Sequence, residues 1–330
     1  MNHDHITIIG NNPELLTSVN RFIQSFIESE TIAIQTSGST GKPKKYNVKK
    51  IHFMRSAKRT CDFFDLHPGD TAFLCISPEY IGGKMMILRA LERNLKLEIG
   101  SISAFPFEKK SNIDLAAFVP LQINCVLNKD PDYLKQIKNI IIGGGAIDPS
   151  TESQLVALKI NAYSTFGMTE TLSHIALRKV GTEEFKLLDG VKIQSDDKDR
   201  LIIMDPEVTG QDKIQTNDIV EITSENSFIW KGRFDNIINS GGVKMYPEVI
   251  EKKISPYLNT PFFIAKEKDL IFGEKVILIV EGKEKDLPIF HGVLSKFEVP
   301  KKIYFIEKFA YTATNKINRN QTLEKLKIGR

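Results

Sequence analysis

Near the start of the chain, Leu15, Leu16, Val19, Phe22, Ile23, Phe26 and Ile27 recur at helical spacing and predict an amphipathic helix over residues 13–28. A β-branched run, "TIAI" at residues 31–34, predicts a short strand, and a polar stretch rich in Ser, Thr, Gly and Lys follows it directly. The plan then repeats. "TAFLCIS" (71–77) predicts a buried strand, "GGKMMILRALERN" a helix opened by glycines, and "CVLN" (125–128) another short strand. "NIII" (139–142) predicts a strand ending in three glycines, with a helix around 151–158 beyond it, and "INAYSTFGMTE" (160–170) a strand ending in a polar turn. Strands alternating with helices argue for an α/β fold with its functional loops at strand ends.

After Leu177 the pattern shortens to strands joined by charged turns, including "IVEIT" and "FIWKG", which predict a β-rich subdomain. Beyond "GRFDNIINSGG" come a helix ("PEVIEKKISPYL"), two strands ("PFFIAKEK" and "EKVILIVEG"), another helix and a last strand ("KKIYFIEKF"). These suffice for a separate small α+β domain, and the expected division is 1–232 and 233–330. No internal repeat or low-complexity tract is visible.

Composition narrows the classes. With 330 residues, 41% hydrophobic and 26% charged, the chain is long enough for one large and one small domain with ample core. Its net charge of +4 is modest and the basic residues are spread along the chain, so nothing calls for nucleic acid. Cys61, Cys75 and Cys125 fall in no metal-like spacing, and an odd number argues against a disulfide framework; buried reduced thiols are expected. No signal peptide and no run of membrane-spanning length is visible, so a cytoplasmic location without membrane insertion is expected. Oligomeric state is not readable.

The polar stretch "QTSGSTGKPKK" (35–45) carries small residues, hydroxyls that include Ser37, Ser39 and Thr40, and three lysines, a composition suited to a polyphosphate. It is not the P-loop of the NTPases. Counting back from Gly41-Lys42 puts Thr36 where that motif needs Gly, and Pro43 stands where it needs a hydroxyl. A flexible surface loop remains open on these residues alone. Three further loops stand out: Gly143-Gly144-Gly145-Ala146, which permits close approach of a flat ligand; "TFGMTET" (165–171); and "GRFDNIINSGGVKMYPEVIE" (232–251).

Their order resembles the adenylate-forming superfamily of acyl-CoA synthetases, nonribosomal peptide adenylation domains and luciferases. The phosphate loop there reads like residues 36–45, the adenine-side loop like 143–146, and the aromatic-Gly-x-Thr-Glu motif like 166–170. A Thr-Gly-Asp motif corresponds to Thr216-Asn217-Asp218, with Asn replacing Gly, and a Gly-Arg-x-Asp hinge to residues 232–235. The terminal "TATNKINR" places the family's lysine at Lys316, with Asn315 where Gly is usual. The resemblance runs from about Ile32 to the end. Members usually carry a whole further subdomain before the phosphate loop, whereas 34 residues precede Gln35 here. The implied fold is therefore an abbreviated adenylate-forming α/β domain with a β-rich subdomain and a small mobile C-terminal domain. The helix over 13–28 is expected to cover a sheet edge.

The resemblance implies ATP, Mg²⁺ and coenzyme A, and a small carboxylic acid as the partner to be activated. It implies that Thr36, Ser37, Gly38, Ser39, Thr40, Gly41 and Lys44 hold phosphates, with Gly144, Gly145, Ala146, Phe166 and Gly167 around the nucleotide. Asp218 and Arg233 would take the ribose, Thr169 and Lys316 the α-phosphate, and Glu170 the metal. Asp235 would be the hinge, and Gly241 and Gly242 would line the coenzyme A path. For the acyl group, Tyr80 precedes the glycine pair, and Arg89 lies six residues after Gly83 on the predicted helix. This spacing, with "AAFVPLQI" (116–123) after it, resembles the o-succinylbenzoate–CoA ligases of menaquinone biosynthesis, where an Arg there pairs with the second carboxylate of the substrate. An ordinary helix-surface salt bridge at Arg89 stays open, as do another aromatic or short aliphatic acid, a separate carrier protein as acceptor, and a non-catalytic relative that only binds adenylate.

Overall fold

The structure, a computed structural model, describes residues 6–10, 12–35, 45–288, 290, 292–312 and 317–326. The chain divides into two compact units. Unit 1 comprises Met1–Gln194, Ile202–Ile214 and Thr223–Phe228; unit 2 comprises Ser195–Leu201, Gln215–Ile222 and Ile229–Arg330.

Unit 1 begins with β1 (Ile8–Ile9), α1 (Pro13–Glu28), β2 (Thr31–Gln35), β3 (Lys45–Lys49), α2 (Lys50–Phe63), β4 (Thr71–Leu74), α3 (Ile81–Arg93) and β5 (Lys96–Ile99). It continues through β6 (Ile113–Phe118), α4 (Pro120–Lys129), α5 (Asp132–Lys135), β7 (Ile137–Ile142), α6 (Pro149–Ala157), β8 (Ala162–Gly167), β9 (His174–Lys179) and β10 (Glu184–Leu187). Its main sheet runs β1-β5-β4-β6-β7-β8-β9-β10. The pairs from β1 to β8 are parallel, and β8–β9 and β9–β10 are antiparallel.

Helices start where the local chemistry satisfies their free amides. At α1, Asn12 accepts from Leu15 N at 3.0 Å and Pro13 opens the first turn; at α6, Asp148 accepts from Thr151 N at 2.9 Å before Pro149. Leu15, Val19 and Phe26 are the buried face of α1, each contributing roughly 1.5–3 kcal/mol by burial. The Ile-rich β7 is buried along nearly all its length, as a central parallel strand must be, within a core that includes Phe73, Phe118, Ile123, Val126 and Leu155.

Three expectations are corrected. Residues 125–128, expected as a strand, belong to α4: Ile123, Val126 and Leu127 are buried at helical spacing, and Gln122 accepts from Val119 N at the helix start. The sheet edge expected to be covered by α1 is lined by β1, whose Ile8 and Ile9 pair with Leu97 and Glu98; α1 itself packs against α3. The helix expected between 282 and 300 is absent among the described residues, which include Pro288, Gly292 at φ +88° and Pro300.

Strands β11 (Lys192–Ser195), β12 (Arg200–Met204), β13 (Ile214–Ser224) and β14 (Ser227–Arg233) are divided between the units, and helix α7 (Pro206–Thr209) belongs to unit 1. Unit 2 continues with β15 (Ile238–Ser240), β16 (Val243–Met245), α8 (Pro247–Ile254), β17 (Phe262–Asp269), β18 (Gly273–Glu281), β19 (Lys302–Ile306) and α9 (Arg319–Lys325). Its sheet is β16-β15-β18-β17, with β19 parallel to β18. Apolar cores including Ile250, Leu278 and Val280, and Phe263, Ile279 and Phe309, are built on β17 and β18. Among the described residues no helix is long and apolar enough to cross a membrane.

Candidate active site

In a parallel sheet the strand ends on one edge all point the same way, and the loops leaving them converge there. Strands β4, β6, β7 and β8 are such neighbours, so residues 75–80, 119–120, 143–146 and 168–171 gather along one edge although they are far apart in sequence. This edge holds Tyr80, Gly144, Gly145, Ala146, Thr169 and Glu170. Thr36, Ser37, Gly38, Ser39, Thr40, Gly41 and Lys44, expected to hold phosphates, lie outside the described residues, as does Lys316. The flanks of that stretch form a two-stranded antiparallel sheet in which Gln35 is opposite Lys45, so no helix follows it directly.

The glycines on this edge are required for different reasons. Gly144 has φ +80°, the left-handed region. A Cβ at Gly167 would lie 2.3 Å from the Ser173 carbonyl oxygen, because the β8–β9 pairing is irregular at Phe166/Gly167 and the returning chain crosses closely. Phe166 is held by edge contacts to Phe185 and Phe228, with ring centroids at 5.7 and 5.1 Å. Thr171, fully buried, locks the turn that follows: its hydroxyl accepts from Met168 N at 3.0 Å and donates to the Ser173 carbonyl at 2.7 Å. Thr169 is left half-buried and Glu170 exposed. Among the described residues no three His, Cys, Asp or Glu side chains gather as a metal cage. A cation at Glu170 would therefore depend on oxygens from a ligand, which suits Mg²⁺ bound through few carboxylates and substrate phosphates.

Helix α3 carries the residues expected to meet the acyl group. Gly83 packs against backbone, since a Cβ there would lie 2.3 Å from the Ser77 carbonyl oxygen; Tyr80 caps the helix and is 61% exposed. Arg89 is 2% exposed and therefore makes no helix-surface salt bridge. Among the described residues no carboxylate pairs with it. Nη2 donates to Ser173 Oγ at 3.0 Å, Nη1 reaches only the Met86 sulfur at 3.9 Å, and Nε has no partner. Burial pulls its pKa down to about 10. The neighbouring His174 is buried, bonded to Thr60 Oγ1 at 3.1 Å, and held neutral by burial and by the Arg89 charge. The geometry thus ties α3 to the segment just after the Thr169-Glu170 turn. Sequence reasoning includes Thr171 in the loop 165–171 without a role for it and passes over Ser173 and His174, whose one signal is a hydroxyl and an imidazole shortly after the motif.

Cys61 and Cys75 are buried free thiols, pushed up to about 11 and further by burial, and Cys125 is half-buried.

In unit 2, Asp218 is buried at the middle of β13, and both of its oxygens are engaged. Trp230 Nε1 donates to Oδ1 at 2.9 Å and Arg233 Nη1 to Oδ2 at 3.3 Å. Its carboxylate is thereby held at a fixed angle with lone pairs to spare. Trp230, the single tryptophan of the chain, is likewise passed over by sequence reasoning. Asp235 lies in the short turn Phe234–Asn236, and Gly241 and Gly242, at φ +58° and +82°, join β15 to β16.

A sequence model of the family described as "AMP-binding enzyme" matches residues 27–204. A 2-succinylbenzoate–CoA ligase of Bacillus cereus is 24% identical over 338 residues, covering 90% of this chain and 70% of the relative. A crystal structure of an acyl-CoA synthetase (AMP-forming)/AMP-acid ligase II-like protein from Dyadobacter fermentans superposes with a TM-score of 0.65 at 31% identity, covering 96% of this chain and 95% of that one. The O-succinylbenzoate coenzyme A synthetase of Bacillus subtilis, in complex with ATP and magnesium ion, gives a TM-score of 0.74 at 18% identity, over 88% of this chain and 69% of that one.

Proposed function

The chain belongs to the AMP-binding enzyme family, and from that premise we propose that it is an ATP-dependent acid–thiol ligase acting on o-succinylbenzoate. The succinyl carboxylate attacks the α-phosphate of ATP and pyrophosphate leaves; the thiol of coenzyme A then displaces AMP from the acyl-adenylate. Two anions meet in the first step, so its transition state needs fixed donors and positive charge. Residues 37–44 hold the β- and γ-phosphates, and Thr169 and Lys316 donate to the α-phosphate. Gly144, Gly145, Ala146, Phe166 and Gly167 surround the nucleotide, and Asp218 accepts from the ribose hydroxyls with Arg233 beside it. Bound Mg²⁺, held by Glu170 and phosphate oxygens, would supply charge neutralisation. Asp235 is the hinge between the half-reactions, dividing 1–232 from 233–330, with Gly241 and Gly242 along the coenzyme A path.

The observation that carries the substrate is Arg89. A guanidinium taken out of water without a carboxylate partner is costly, and it is retained most readily where a ligand completes it. o-Succinylbenzoate brings a second, aromatic carboxylate that must be held without reacting, and the unspent N–H groups of Arg89 can take it with planar, two-point geometry.

The test compares o-succinylbenzoate with an analogue lacking the aromatic carboxylate, following coenzyme A-dependent AMP release. Wild type should strongly prefer the diacid. Arg89→Ala should lose most of that preference, by about 2–5 kcal/mol in kcat/KM, with ATP affinity little changed. Equal discrimination by both proteins would make Arg89 a structural residue and remove the substrate assignment.

A further inference from the structure

Asn217 stands where the resembling motif has Gly, and its side chain makes a contact that glycine cannot. Nδ2 donates to Oδ2 of Asp235 at 3.1 Å. Asn217 is the strand neighbour of Asp218, whose carboxylate is fixed by Trp230 and Arg233. Asp235 is the middle residue of the turn Phe234–Asn236, which closes with Ile237 N donating to the Phe234 carbonyl at 3.2 Å. Glu248 of α8 also holds this turn: Oε1 accepts from Asn236 Nδ2, and Oε2 lies buried without a partner beneath Gly232, which has φ +143°. The Asn217 amide is thus a direct tie between the strand bearing the ribose carboxylate and the turn bearing the hinge.

We propose that Asn217 is a positioning residue that couples the Asp218 strand to the Asp235 turn and slows passage from adenylation to thioester formation. This rests on the two-step reading given above. Backbone rotation at Asp235 that carries its carboxylate away must break the bond first. Because the bond is exposed, with Asn217 half-buried and Asp235 open to solvent, its loss is worth roughly a two- to tenfold change in rate. Asn217 touches neither substrate nor nucleotide in this scheme, so the chemical steps themselves are unaffected.

The experiment measures three things on the full chain: acid-dependent pyrophosphate release, thioester formation from supplied acyl-adenylate, and amide exchange at residues 235–237. Asn217→Ala removes the donor. Asn217→Asp combined with Asp235→Asn exchanges donor and acceptor and restores the bond. Asn217→Ala should raise the ratio of thioester formation to adenylation about two- to tenfold. It should speed exchange at 235–237 while leaving β17 and β18 amides, which report intact folding, as in wild type. The double variant should return both readouts toward wild type. An unchanged ratio, or a shift that the swap does not reverse, overturns the proposal. If wild type releases no pyrophosphate with o-succinylbenzoate or any other acid, the functional reading falls instead. Amide exchange alone then decides whether the bond holds the turn, and unchanged exchange in Asn217→Ala overturns that as well.

Discussion

Asp218 and Glu248 show how single carboxylates acquire roles from their neighbours. The Asp218 oxygens are both engaged by side chains of β14, so the orientation of the carboxylate is fixed by the fold itself. Glu248 leaves one oxygen unpaired against Gly232, where an added Cβ would approach to 2.3 Å. Gly232 also has φ +143°, a conformation disfavoured for side-chain-bearing residues. Gly232→Ala should therefore destabilise the protein by about 1–3 kcal/mol in denaturant unfolding. Gly242→Ala is the control: φ is +82°, but nothing lies within 4 Å of the added atom, so it should cost less. Equal costs would mean that Glu248 yields freely. The Gly-Arg-x-Asp motif was legible in sequence, but the reason for its glycine was not, because Glu248 reaches it from another element.

Helix α8 brings Glu248 and Glu251, three residues apart, onto one face, where both lie within ion-pair distance of Arg319. Glu251 Oε2 takes Arg319 Nη2 at 2.7 Å and its Oε1 accepts from Ile264 N at 2.7 Å. Burial pushes its pKa up to about 7, opposed by Arg319 and reinforced by the like charge of Glu248. The folded chain then keeps a proton on Glu251 that the unfolded chain, at 4.5, has already released. Stability should fall as pH rises from about 4.5 through 7, by an amount on the order of 1–3 kcal/mol. Melting curves between pH 5 and 8 should show this slope in wild type and a shallower one in Glu251→Gln; parallel slopes would assign it to other groups. The helix itself was legible from "PEVIEKKISPYL". The stretch 125–128 was misread for a related reason: four residues are too few to distinguish period 2 from 3.6, and the deciding apolar partner, Ile123, lies before them.

At the scale of the molecule, the proposed chemistry draws on segments from both ends of the sequence. Lys316 belongs to the proposed adenylation machinery, and the described chain on either side of it is anchored: Tyr311 bridges Ile317, and the Tyr311 hydroxyl donates to Glu281 at 2.7 Å. Lys316→Ala should cut acyl-adenylate formation roughly a hundredfold or more, as removal of one preorganised donor does. Thioester formation from supplied acyl-adenylate should survive. Equal loss in both half-reactions, measured separately, would contradict the role given to the lysine.

The sequence by itself determined the alternation of strands and helices, because burial imposes a period that can be counted, and it ordered the motifs that mark the AMP-binding family. It placed Arg89 on a helix and Asp218 in a β-rich region. Only the tertiary structure decided that Arg89 is buried beside Ser173 with no carboxylate partner among the described residues, that Trp230 and Arg233 share the Asp218 oxygens, and that Asn217 reaches Asp235. These are contacts between residues 12 to 84 positions apart. Such pairs meet only after strands and helices pack, and one chain read in order carries no signal of which distant side chains will face each other.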